Sequence, residues 1–196
     1  MRRALAAAVA AALLLVGCDD AAPSTSSDVD VDTPALREMK ADAAVEPCKA
    51  GPGDGGLPAV TLPCLGGGDD VDLSTLRGPL VINLWASNCG PCVKEMPALQ
   101  QFHERYGDRV GVLGIDFVDT QPEAALALMA RTGATYPSLA DPGGTLYDER
   151  DLELGQGLPQ FLLLDADGEV AGRAAGGLES VAEVVALVED QLGVVL

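Results

Sequence analysis

Apolar positions along the chain fall into two rhythms, and each predicts its own elements. Residues 80–85, Leu-Val-Ile-Asn-Leu-Trp, form a short apolar run rich in strand formers, and Ser87 and Asn88 after it offer N-cap side chains. Gly90-Pro91 adds a turn and a proline suited to a first helical turn. From Cys92 onward Met96, Leu99, Phe102 and Tyr106 recur every three or four positions, one face of an amphipathic helix ending near Gly107. Pro97 should kink that helix by removing a backbone bond and crowding the preceding turn. Residues 109–117 alternate and then run apolar, as a central parallel strand does. Residues 122–131 read as a helix with proline first and Gly133 just past its end. Shorter strands are expected at 59–62, 136–139 and 161–164, the last turning through Asp165-Ala-Asp-Gly168 into a hairpin with 169–173. A helical turn at 72–77, a short polar helix at 145–152 and an amphipathic helix at 178–192 complete the series. Strand–helix alternation with right-handed crossovers predicts an α/β sandwich.

The N-terminus follows neither rhythm. Met1-Arg-Arg is a positive leader, and residues 4–16 are an apolar run too short to span a bilayer. The run ends in Leu15-Val-Gly-Cys18, which resembles a bacterial lipobox. That resemblance implies that residues 1–17 are a signal peptide and that Cys18 becomes the lipidated first residue, with two acyl chains giving stable anchoring. A transmembrane anchor and plain secretion are the alternatives. Residues 19–47 carry eight acidic and two basic side chains with few large apolar ones. They read as a disordered acidic tether with a coil reach of about 30 Å and at most a transient helix over 35–45. The folded domain is expected over residues 48–196.

Composition narrows the partners. A chain of 196 residues that is 48% hydrophobic can bury one good core. Thirty acidic against 12 basic residues, a formal charge of −18, argue against nucleic acid and anionic lipid headgroups as charge partners. The acidic surface reads simply as solubilising.

The chemistry to explain is Cys89-Gly-Pro-Cys92, a Cys-x-x-Cys pair on a strand-to-helix junction and therefore a dithiol redox signature. A helix start has unpaired backbone N–H groups and partial positive charge, so it favours a thiolate. Lowering a cysteine pKa from ~8.5 to ~7 raises its thiolate fraction at neutrality roughly fifteenfold, which outweighs the nucleophilicity lost. Cys89, at the exposed end, should attack; Cys92, one turn deeper, should resolve the mixed disulfide. At about 100° per residue Glu95 lies about 60° from Cys92 and flanks the apolar stripe, so it is either a buried proton acceptor with a raised pKa or an exposed helix glutamate. Cys48 and Cys64 bracket a loop-like segment, residues 48–66, and outside the cytoplasm such a pair forms a structural disulfide worth ~3 kcal/mol on loop-entropy grounds. The alternatives are a second electron-relay pair, or a zinc site shared with Cys89 and Cys92, for which the spacing is wrong. Pro159 either starts an edge strand with a trans bond or holds a cis bond. Residues 165–168 lack the remaining ligands of a calcium loop.

Trp85-Ala-Ser-Asn-Cys-Gly-Pro-Cys92 resembles the active-site strand and helix start of thioredoxin-like proteins. Val93-Lys-Glu-Met-Pro97 narrows the resemblance to membrane-anchored, extracytoplasmic TlpA/ResA-type thiol–disulfide oxidoreductases, and residues 157–168 resemble that family's cis-proline loop and hairpin. The likeness covers residues 55–195. It implies a thioredoxin-like α/β fold, a central mixed sheet flanked by helices, with a central insertion and an N-terminal extension. It implies Glu95 as a buried proton acceptor and Pro159 in cis, with Leu158 pairing with substrate backbone beside Trp85, Asn88, Gly90 and Pro91. Asn88 replaces the family's usual tryptophan. Asn83 stands where thioredoxin itself has a buried aspartate, which puts more proton handling on Glu95.

The resemblance further implies no bound cofactor and no metal. It implies a monomer held on the outer face of the cell membrane by its lipid anchor. Its partners would be protein substrates with disulfides or thiols, such as apocytochrome c, and a membrane electron donor of the thiol–disulfide type. A peroxiredoxin would want a Thr-x-x-Cys setting, yet Ala86 occupies the threonine position. A copper chaperone on the same fold would want wider cysteine spacing and a distal histidine, and the single histidine, His103, reads as a packing residue. An inert lipoprotein with a Cys89–Cys92 staple is the remaining rival.

Overall fold

The structure, a computed structural model, describes residues 28–196. The expected signal peptide, Cys18 and the first part of the tether lie outside the described residues. In chain order the elements are α1 (Pro34–Asp42), β1 (Thr61–Leu62), β2 (Val71–Asp72), β3 (Leu80–Trp85), α2 (Gly90–Tyr106), β4 (Gly111–Phe117) and α3 (Pro122–Thr132). They continue with β5 (Ser138–Asp141), β6 (Gln160–Leu164), β7 (Val170–Ala175) and α4 (Val181–Leu192). The expected short helices shrink to 3₁₀ turns at Leu73–Thr75, Thr145–Asp148 and Arg150–Leu152.

The main sheet has five strands in the order β5-β4-β3-β6-β7. β3, β4 and β5 run parallel, whereas β6 is antiparallel to β3 and β7 to β6. This is the mixed sheet that a thioredoxin-like fold requires. Each central strand alternates between two cores, as a pleated strand must. On β3, Val81 and Trp85 join the core under the helices, whereas Ile82 and Leu84 join a second core. That second core is roofed by Leu57 and Leu62 from the N-terminal extension, residues 48–66, and by Val71, Leu73 and Leu76 just after it. β1, in that extension, pairs antiparallel with β2, which follows it.

The tether expectation needs correction from residue 28 onward. Residues 34–42 form a stable part of the fold rather than a transient helix. Thr33 is the N-cap, its hydroxyl accepting the Leu36 N–H, and Pro34 opens the first turn. Leu36 is fully buried, and Val31 and Val45 join it in the helix-side core. Backbone bonds tie the segment down: Glu46 N–H to the Thr135 carbonyl, and Gly66 N–H to the Val31 carbonyl. Average composition concealed these few apolar anchors among many acids. Among the described residues no helix is long and apolar enough to cross a membrane.

Candidate active site

β3 delivers the chain directly into α2, but the helix starts later than its N-cap candidates imply. The N-cap is Cys89 itself, whose Sγ accepts the Cys92 N–H at 3.2 Å, with Pro91 in the first turn. Ser87 is held elsewhere: its N–H donates to Asp119 Oδ2 at 2.7 Å. The attacking candidate therefore sits at the position where a helix most favours an anion. The two sulfurs are joined in a disulfide with Cα atoms 5.2 Å apart. Cys92 is 0% exposed, Cys89 half-buried, and Asn88, Gly90 and Pro91 exposed. That asymmetry makes Cys89 the more accessible of the two sulfurs.

Glu95 is buried, not a surface glutamate. It is 0% exposed, and its Oε1 accepts a hydrogen bond from Asn83 Nδ2 at 2.9 Å. Burial pushes its carboxyl up to about 8, against the opposing pull of the Asn83 hydrogen bond. A carboxyl that titrates there exchanges a proton under the conditions in which thiols ionise. Asn83 and Glu95 come from facing elements, β3 and α2, which is why the pair forms.

The Leu158–Pro159 bond is cis, as the resemblance implies. Pro159 is buried, and half-buried Leu158 packs against both cores at the edge of β6. Trp85 departs from its expected role. It is fully buried, and its indole N–H donates to Ser138 Oγ at 3.3 Å, so it supports the site from beneath rather than lining a substrate groove. Gly114 makes room for it, since a Cβ there would meet Ser138 Oγ at 2.7 Å and Trp85 Nε1 at 2.8 Å.

Two carboxyls escaped sequence reasoning. Asp116, at the end of β4, is in register with Trp85, and burial first, then the neighbouring Asp119, pushes its pKa well above the ordinary range. Asp119 accepts from both Ser87 N–H and Gln121 N–H, at 2.7 and 2.9 Å. It thus pins the loop that leads into Cys89. Only the acid spacing Asp116-Phe-Val-Asp119 after a strand hinted at such a pair. His103 lies well down α2, its Nε2 2.8 Å from Glu46 Oε1.

Cys48 and Cys64 form a disulfide, with Cα atoms 5.8 Å apart. Each of the two cysteine pairs is bonded within itself.

Residues 52–188 match the Redoxin family. The chain belongs to that family. Among relatives, the thiol-disulfide oxidoreductase ResA of Halalkalibacterium halodurans is 27% identical over 128 residues, covering 63% of this chain and 70% of that protein. The thiol:disulfide interchange protein DsbE of Allochromatium vinosum is 32% identical over 102 residues, covering 51% of this chain and 52% of that protein, so that match spans about half of its length. Among solved structures, a DsbF homologue from Corynebacterium diphtheriae superposes with a TM-score of 0.59 at 25% identity, covering 67% of this chain and 83% of that one. The Redoxin chain described here is thus thioredoxin-like in fold, and its relatives are thiol–disulfide oxidoreductases of the ResA/DsbE type.

Proposed function

We propose that this Redoxin-family chain exchanges dithiol for disulfide with other proteins from the outer face of the cell membrane, anchored through lipid on Cys18. The Cys89 thiolate attacks a substrate disulfide and forms a mixed disulfide. Cys92 then attacks Cys89, releases the substrate thiol, and leaves Cys89 and Cys92 oxidised. Glu95 takes the Cys92 proton during that second step. Leu158, with the exposed Asn88, Gly90 and Pro91, lies where substrate backbone would dock. The observation that carries the reading is the Cys89 sulfur at the helix N-cap with a buried resolving partner one turn below.

Reduction in the service of cytochrome c maturation, fed by a membrane thiol–disulfide donor, fits the anchor and the dithiol. The protein would act as a monomer. The test is mixed-disulfide trapping with Cys92→Ser. That variant should accumulate a covalent adduct on Cys89 with a disulfide-bonded protein substrate, and Cys89→Ser should yield none. Equal adduct in both variants would remove Cys89 from its role.

A further inference from the structure

The Cys48–Cys64 bond is built against a buried cation. Lys40, on α1, is only 8% exposed, and its Nζ donates to Cys64 Sγ at 2.9 Å and to the Gly67 carbonyl at 2.7 Å. A buried ammonium ordinarily faces a carboxylate. The nearby acid, Asp32, is taken instead by Arg37, which binds it through two nitrogens at 2.6 and 2.9 Å. A disulfide sulfur is neutral and a weak acceptor, so among the described residues Lys40 has no contacting anion while the bond is closed. Burial accordingly lowers the Lys40 pKa, with Asp32 acting only in part against it.

The surrounding chain is shaped to this contact. Gly66, Gly67 and Gly68 all have positive φ, at 72°, 87° and 121°, and their loop folds over the lysine. A Cβ on Gly66 would sit 2.9 Å from Lys40 Cβ; one on Gly68 would lie 3.8 Å from Cys64 Sγ and 3.9 Å from Lys40 Nζ. The two sulfurs differ in setting. Cys64 is 1% exposed and receives the lysine, whereas Cys48 is 4% exposed and lies between the exposed residues Pro47 and Lys49. A surface cavity of about 320 Å³ opens on the lysine side of the bond, lined by Arg37, Lys40, Pro47, which precedes Cys48, and the Gly66–Gly68 loop, with neither sulfur in its wall.

We propose that Cys48–Cys64 is a second thiol–disulfide exchange site, in which a dithiol reductant attacks Cys48 and Cys64 leaves as a thiolate held by Lys40. The first thiolate of the reductant bonds to Cys48 Sγ as the Cys48–Cys64 bond breaks, and the electron pair of that bond goes to Cys64. The second reductant thiol gives up its proton and attacks its partner sulfur in the mixed disulfide. Cys48 is then released and takes up a proton, so the reductant leaves as a disulfide. Two electrons have passed to the Cys48/Cys64 pair. The Lys40 ammonium then faces an anion where it had faced a neutral sulfur, which favours the open state over that of a disulfide with no cation beside it.

The test uses the full chain with Cys89→Ser and Cys92→Ser, so that the first dithiol is silent and failure here leaves the proposed function untouched. The protein is equilibrated against mixtures of reduced and oxidised dithiothreitol, then acid-quenched, alkylated and read by peptide mass at Cys48 and Cys64. The bond should open in the folded chain, and Lys40→Met should raise the reduced-to-oxidised ratio needed for half-opening by about tenfold, one pKa unit of thiolate stabilisation. A second measurement stands if Lys40→Met fails to fold. Adding Cys18→Ser and Cys48→Ser leaves Cys64 as the sole thiol, and its ultraviolet thiolate absorbance should titrate below the free-cysteine value of about 8.5. A bond that opens only after denaturant unfolds the chain would overturn the proposal. So would an unchanged poise in a folded Lys40→Met variant, or a Cys64 midpoint at or above the free-cysteine value.

Discussion

Asn83 donates its side-chain amide to Glu95 Oε1 across 2.9 Å of buried space between β3 and α2, a hydrogen bond that opposes the effect of burial on that carboxyl. It favours the carboxylate, but burial outweighs it and the Glu95 carboxyl titrates at about 8. Glu95→Gln keeps the shape and removes the titration. The rate of dithiol reoxidation by a disulfide substrate should then lose its rise through about pH 8, with at least a tenfold fall above that pH. Stopped-flow Trp85 fluorescence across the pH range reads this.

The same group makes stability depend on pH, with a definite sign. Its folded pKa lies above the unfolded one, so the native state binds the extra proton between about 4.5 and about 8. Its contribution is complete below the lower value, declines through that window as pH rises, and stays lost above the upper one. The full swing is on the order of 5 kcal/mol. Urea midpoints at pH 5 and pH 8.5 should differ more in the wild type than in Glu95→Gln.

Gly114→Ala should cost about 1–3 kcal/mol, because the new Cβ collides with Ser138 Oγ and the Trp85 indole nitrogen. Equilibrium urea unfolding measures the loss. Gly133, whose added Cβ would meet nothing within 4 Å, suffers from its positive φ alone.

Asp119→Ala removes the acceptor of the Ser87 and Gln121 backbone N–H groups. A loss of about 1–3 kcal/mol is expected, since two part-buried donors are left without a partner. Loosening the loop before Cys89 should also slow substrate attack in an insulin-reduction assay.

Leu36→Ala should destabilise the domain by about 2–5 kcal/mol, the usual range for truncating a fully buried leucine. A tether would lose nothing. Thermal unfolding of the two chains separates the alternatives.

Much of the fold was legible because residues 80–106 are locally consistent. Strand formers, a turn, a proline and a helical apolar repeat all point the same way, and β3 and α2 emerge from them. Cys89 and Cys92 followed from spacing on that frame, whereas spacing left Glu95 open between burial and exposure and the family resemblance made the choice. What was missed depends on where distant segments meet. The N-cap shifted from Ser87 and Asn88 to Cys89 because Asp119, 32 residues later, holds the Ser87 amide. Trp85 looked like a groove residue until β5 supplied Ser138 as its partner. Helix α1 carries a Thr33-Pro34 start signal, but Leu36 earns its burial only against α3 and the core, which no local window contains.

The docking of α1 also shields the stretch ahead of Cys48 from proteases. Leu36 is buried in the helix-side core, and backbone bonds from Glu46 to Thr135 and from Gly66 to Val31 hold the segment in place. A protease can cut between residues 34 and 46 only after that segment has opened, so the cleavage rate there reports the local opening equilibrium of the fold.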